Sequence, residues 1–198
     1  MELILAVIFF AFSACISPGP NNVMIMTSGM NYGTRRSLPH LLGISVGFPV
    51  MLICIGLGLG FIFDRYPAIH QVIKVCGIIY LLFLAWKIAN ATPTNFEADS
   101  TSKPFTFIQS ALFQWVNPKA WFMATSSVAT FTHNQSNVFL QVIMISFIFM
   151  VVVFPASGTW LVFGTQLKRV LKSAHHQKIF NICMAVILVA SIIPVIFE

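Results

Sequence analysis

The amino-acid sequence predicts an all-α integral membrane protein: six transmembrane helices arranged as two inverted three-helix repeats, with helices 1 and 4 broken. Three observations lead there. Of the 198 residues, 58% are hydrophobic and 8% charged, where a soluble domain carries roughly 25% charged residues. The mean hydropathy is +0.87, and a 22.0 kDa globule cannot bury that much apolar surface, so the solvent is lipid. Stretches without Asp, Glu, Lys or Arg cover 3–34, 37–63, 75–86, 104–118, 120–167 and 179–197, and a spanning helix needs about 20 residues. Lastly, a proline break recurs about half the chain apart, in SPGPNN (17–22) and in VNPKAW (116–121).

Span 1 takes residues 3–27. It includes FSAC (12–15), which resembles a lipoprotein cleavage box. Met1-Glu2 lacks the basic residues of a signal peptide and the apolar run continues past Cys15, so the segment is expected to remain as a span. Span 2 takes 39–63 and span 3 takes 68–89. The linker 90–104 (NATPTNFEADSTSKP) follows, and span 4 takes 105–131, crossing Lys119. The stretch 120–167 is too long for one helix. THNQSN at 132–137 divides it and leaves span 5 at 138–164, and span 6 takes 179–197. These form one transmembrane domain over 1–198, with a first three-helix repeat at 1–95 and a second, inverted, at 104–198.

The net charge of +6 does not point to nucleic acid, because the basic residues sit scattered at span ends and form no stripe. They set orientation instead. The loops after spans 1, 3 and 5 hold Arg35, Arg36, Lys87, Lys103, Lys168, Arg169, Lys172 and Lys178, against Arg65 and Lys74 on the other side. That bias of eight to two places the first set in the cytoplasm and both termini outside.

The breaks are where polar groups enter the lipid. Pro18 and Pro20 lack an N–H, so the carbonyls of Ala14 and Ile16 lose their helical donors. Exposed backbone at that depth is tolerated only against protein or a wet cavity. Gly19 permits close approach of another backbone or a ligand, and Asn21 and Asn22 add amides to the same space. In span 4, Pro118 frees the carbonyl of Gln114, beside Asn117 and Lys119. Lys119 is the one charge well inside a span, with no acidic partner in any span; a central lysine is costly in lipid and marks function. Aligning Pro20 with Pro118 sets GPNNVMIMT over NPKAWFMAT. Span 1 runs inward and span 4 outward under the charge count. Transporters built from such inverted repeats place the substrate at the midplane, where broken helices meet. The expected substrate-binding residues are therefore Pro18, Gly19, Pro20, Asn21, Asn22, Gln114, Asn117, Pro118 and Lys119. The Ala14 and Ile16 carbonyls and the Asn21 and Asn22 side-chain oxygens would accept from an ammonium. Lys119 has two open roles, anchoring a carboxylate or carrying a coupled proton.

Four motifs in order resemble the LysE/RhtB family of amino-acid exporters. They are SPGPNN (17–22), the set Gly33, Arg35, Gly43 and Gly47 in YGTRRSLPHLLGISVG, Gly77–Lys87 with Tyr80 and Trp86, and Asn117-Pro118-Lys119. PGPNN with LAWKIA is most similar to the branch that exports cysteine and O-acetylserine. The resemblance covers essentially the whole chain. It implies a six-helix bacterial inner-membrane exporter of small amino acids, with a proton as coupling ion. One departure stands out. Many relatives carry an Asp in span 5, where this chain reads FIFMVVVFPASGTW, with Pro155 and Ser157 in the area. A proton-coupling role for that Asp does not carry over.

The four cysteines, Cys15, Cys54, Cys76 and Cys183, raise the alternative of a membrane thiol-reductant carrier. Those carriers set reactive cysteines beside the prolines of helices 1 and 4. Here Gly19 follows Pro18, VNPKAW has no cysteine and no CxxC occurs, so the cysteines read as buried core residues. An embedded enzyme has no support. His40, His70, His133, His175 and His176 all lie at or near loops without metal spacing, and no Ser/His/Asp set shares a site. No cofactor or metal is expected. The expected partners are a small amino-acid substrate, a proton and the lipid bilayer, with a homo-oligomer compatible.

Overall fold

A computed structural model of the chain describes residues 2–59, 65–90, 103–133, 137–171 and 173–193. The linker at 91–102, the centre of THNQSN at 134–136, Lys172 and the expected ends of spans 2 and 6 at 60–63 and 194–197 lie outside these residues. Among the described residues all regular structure is helical. Helix α1 is Glu2–Ile16 and α2 is Pro20–Arg36. Helix α3 is Leu38–Cys54, continued by a wider π-type turn at Ile55–Leu59. Helix α4 is Pro67–Ala89 and α5 is Phe107–Phe113, followed by a 3-10 turn at Gln114–Val116. Then come α6 at Pro118–Phe131, α7 at Val138–Val170 and α8 at Ala174–Ala190.

Local chemistry sets where these helices begin. Pro20, Pro67 and Pro118 occupy first positions, where a missing N–H costs nothing. Thr106 and Gln109 form a reciprocal capping box on α5, and Asn117, Asn137 and Ser173 cap α6, α7 and α8 with their side-chain oxygens. Gly33 bends α2 with φ of 78° and ψ of 170°, a conformation left to glycine.

The described segments Leu38–Gly58, Gln71–Ala89 and Val138–Leu167 are each long and apolar enough to cross a membrane, and α1 with α2 makes a pair bent by 56°. Helix α8, with 17 residues, is apolar but shorter. The stretch expected as span 4 is two short helices, α5 and α6, joined across residues 114–117. Two expected boundaries move outward: α2 continues past residue 27 to Arg36, and α7 past 164 to Val170. Hydropathy marks where lipid ends. Backbone hydrogen bonding carries a helix on into the interface.

Directions follow from paired positions. Ser17 meets Lys119 and Phe10 meets Phe131, so α1 and α6 are antiparallel. Phe48 lies against Phe149, and Gly56 against Val142, so α3 and α7 are antiparallel. Asn22 meets Ser157 and Thr34 meets Thr165, so α2 and α7 run parallel. Glycines let these backbones touch. A Cβ on Gly164 would collide with the Met26 carbonyl, and one on Gly29 with that of Leu161, locking α2 to α7. Gly43 and Gly47 likewise admit α5 at Phe107 and Ala111. Close packing over small residues replaces the hydrophobic drive that lipid does not supply.

Candidate functional site

Both breaks fall at the same level of the bundle and face each other. The first leaves residues 17–19 without helical structure before α2 starts at Pro20; the second is the 3-10 turn and Asn117 before α6 starts at Pro118. Lys119 crosses from the second break to the first. Its Nζ donates to the Ser17 carbonyl at 2.9 Å, the Ser17 hydroxyl at 2.6 Å and the Pro18 carbonyl at 3.3 Å. Gly19 leaves room for that crossing, since a Cβ there would stand 2.8 Å from Lys119 Cδ. Asn21 crosses the other way. Its amide donates to Gln114 Oε1 at 2.8 Å and its oxygen accepts from Gln114 Nε2 at 3.1 Å. Asn21 and Lys119 are each the residue after the helix-starting proline. Each therefore reaches into the opposite break from an equivalent position.

The freed carbonyls of the first break are not vacant, which corrects one expectation. The Ala14 carbonyl accepts from Ser17 Oγ at 2.9 Å and that of Ile16 from Trp160 Nε1 at 3.0 Å, so neither waits for an ammonium. Asn22, 3% exposed, donates to the carbonyls of Cys15 at 2.6 Å and Ser17 at 2.9 Å. Its oxygen accepts from Ser157 Oγ at 3.3 Å. Buried backbone needs such partners, and side chains of α2, α6 and α7 supply them. In the second break, the Gln114 carbonyl accepts from the Asn117 N–H at 3.3 Å and the Trp115 carbonyl from Trp121 Nε1 at 2.8 Å.

These groups border a cavity of about 30 Å³, room for about two waters by the usual requirement. Asn21, Asn22, Asn117, Lys119 and Ser157 give it a polar side, and Gly19 and Cys15 also line it. Of the expected site residues, Pro18, Pro20, Pro118 and Gln114 are not in its lining: the prolines shape the breaks, and Gln114, fully buried, stands behind Asn21. Carrying reducing equivalents calls for two thiols within reach, and among the lining residues Cys15 is the sole cysteine. All four cysteines are free, and the expectation of buried core residues holds for Cys15 alone: Cys54 is half-buried, and Cys76 and Cys183 are exposed on the outer faces of α4 and α8.

Sequence reasoning missed Ser17 as the partner of Lys119, Trp160 as a donor to the break, and the bond from Ser157 to Asn22. Ser157 and Trp160 lie three apart, the spacing of one helix face, and that was the available signal. His40 also departs from its expected loop setting. It is 1% exposed inside α3, 2.9 Å from the Ser28 hydroxyl through Nδ1, with its ring 5.3 Å from that of Phe105. His175 and His176 are exposed in the first turn of α8 rather than in a loop.

The family model described as LysE type translocator matches residues 12–191. The cysteine/O-acetylserine efflux protein of Escherichia coli K12 is 30% identical to this chain over 181 residues, 91% of this chain and 90% of the relative. The protein of the same description from Shigella flexneri gives the same identity and coverage. No solved structure matches at a significant level.

Proposed function

The chain belongs to the LysE type translocator family, a family of membrane transporters and not of enzymes, and we propose that it exports small amino acids or their derivatives across the bacterial inner membrane by proton antiport. Cysteine and O-acetylserine are the first candidates, from the description of the relatives. The observation that carries this reading is the pair of facing breaks, tied by Lys119 to Ser17 and by Asn21 to Gln114 around a cavity. The alignment of Pro20 with Pro118, and the equivalent reach of Asn21 and Lys119, support two inverted repeats, 1–95 and 104–198, crossing the membrane six times. The eight-to-two distribution of basic residues supports periplasmic termini.

In this reading the substrate carboxylate replaces Ser17 at Lys119. Both bonds are charge-assisted on the lysine side, but only the carboxylate adds the attraction of a full opposite charge to the ammonium, and the first turn of α6 adds amide dipoles that favour negative charge. The ammonium takes the Ser157 hydroxyl oxygen and the second lone pairs of the Asn21, Asn22 and Asn117 side-chain oxygens, each of which already accepts one bond within the protein but borders the cavity. Because Lys119 ties the two breaks together, substrate entry loosens that tie and frees one half to rock against the other, the motion by which inverted-repeat transporters alternate access. Uptake of radiolabelled cysteine, O-acetylserine and other amino acids into inverted vesicles, with and without an imposed pH gradient, tests the proposal. Gradient-driven accumulation is expected. No accumulation of any amino acid under either condition would overturn it.

A further inference from the structure

We propose that Phe48, Met123 and Val153 form the side-chain subsite, restricting transport to zwitterions with short, uncharged side chains. This rests on the export reading above. All three residues line the cavity. Each lies four residues, about 6 Å along its helix axis, from another lining residue: Phe48 from Ile44 on α3, Met123 from Lys119 on α6, and Val153 from Ser157 on α7, of which Lys119 and Ser157 bond to the first break and to Asn22. Helix α7 is antiparallel to α3, and the α6 and α3 ends meet where Gly56 faces both Val128 and Val142. The three side chains are therefore displaced in the same direction, toward the Phe131 end of the bundle. A substrate whose carboxylate and ammonium engage the polar level has its Cα substituent pointing at them.

The subsite has a ceiling. Phe149, fully buried, stands one turn beyond Val153 with its ring 5.1 Å from that of Phe48, and Phe10 follows at 6.4 Å from Phe149. A long side chain runs into these rings. A charged one fares worse, because Lys119 is the one charged lining residue, and an unpaired charge among apolar groups is strongly disfavoured. Short neutral side chains such as that of cysteine meet neither obstacle, whereas the acetyl ester of O-acetylserine is as long as a methionine side chain, with a carbonyl oxygen besides, and meets the rings, so the subsite selects cysteine of the two candidates.

Counterflow exchange in proteoliposomes tests this with alanine, serine, cysteine, leucine, methionine, lysine and aspartate. The unsubstituted protein is expected to exchange the first three at least tenfold faster than the other four, within the range that a hydrophobic pocket discriminates. Phe48→Ala should raise the leucine-to-alanine ratio at least tenfold, and Met123→Ala should raise it less. If Phe48→Ala does not reach the membrane, Phe48→Leu is read by the same ratio. An unchanged ratio in these variants while alanine still exchanges overturns the subsite and leaves the export reading standing. So does exchange of lysine as fast as alanine by the unsubstituted protein. Exchange of no amino acid at all overturns the export reading itself, and the subsite with it.

Discussion

Lys119 spends its three N–H donors on oxygens of the opposite break, so binding a carboxylate means exchanging at least one of them. Two substitutions separate its possible roles. Arginine keeps the charge and can grip a carboxylate but does not release a proton at ordinary pH. If Lys119 is an anchor, Lys119→Arg retains substrate exchange and part of the gradient-driven export. If it carries the proton, the variant exchanges substrate yet loses accumulation driven by pH. We expect the anchor, and full transport by Lys119→Ala at normal membrane content would remove both roles. Asn22 makes a second case. Leucine there keeps the size but deletes the amide that holds the Cys15 and Ser17 carbonyls. The Ser17 carbonyl keeps Lys119 Nζ as a donor, whereas leaving the buried Cys15 carbonyl without the amide costs roughly 1–3 kcal/mol. Asn22→Leu should therefore lower both thermal stability in detergent and export, and intact export would make Asn22 a packing residue only.

At the scale of the element, the bundle depends on where helices can touch. The α2–α7 contact is closed by Gly29 and Gly164, each facing a carbonyl of the other helix. Gly164→Ala forces those backbones apart, and overpacking of this kind costs about 1–3 kcal/mol. Gly158, on the same helix, offers the control, since its Cβ would meet only Leu41 Cδ2 at 3.9 Å. Replacing glycine by alanine inside a helix gains up to about 1 kcal/mol where nothing obstructs it. The midpoint of thermal unfolding in detergent should therefore fall for Gly164→Ala and hold or rise for Gly158→Ala. Equal midpoints would mean that α2 and α7 do not rely on this contact.

At the scale of the molecule, the distribution of basic residues predicts both termini outside, with Arg35, Arg36 and residues 168–178, where α7 hands over to α8, in the cytoplasm. Reporter fusions at Glu198 check this. A periplasmic reporter should be active there and a cytoplasmic one silent, and the reverse would sink the outward placement of both termini. The relative directions stand apart from that test: α1 opposes α6 and α3 opposes α7 whichever face is outside.

The helical class, the position of the breaks and the singular status of Lys119 were all legible in the sequence, because each has a local cause. Apolar runs report the solvent, a proline removes its own N–H, and a charge inside a span stands out against lipid. Of the nine expected site residues, Gly19, Asn21, Asn22, Asn117 and Lys119 do line the cavity. What pairs with what was decided by the tertiary structure. Ser17 is 102 residues from Lys119, Trp160 is 144 from Ile16, and Ser157 is 135 from Asn22. No local pattern encodes those partners. They follow from which helix faces which, set by backbone contacts at Gly29, Gly43, Gly47 and Gly164. The same packing buries His40, which its place beside a loop did not foretell. A break in a helix announces unpaired carbonyls from sequence alone; whether a ligand or the protein itself pairs them depends on the side chains that the fold delivers to that depth.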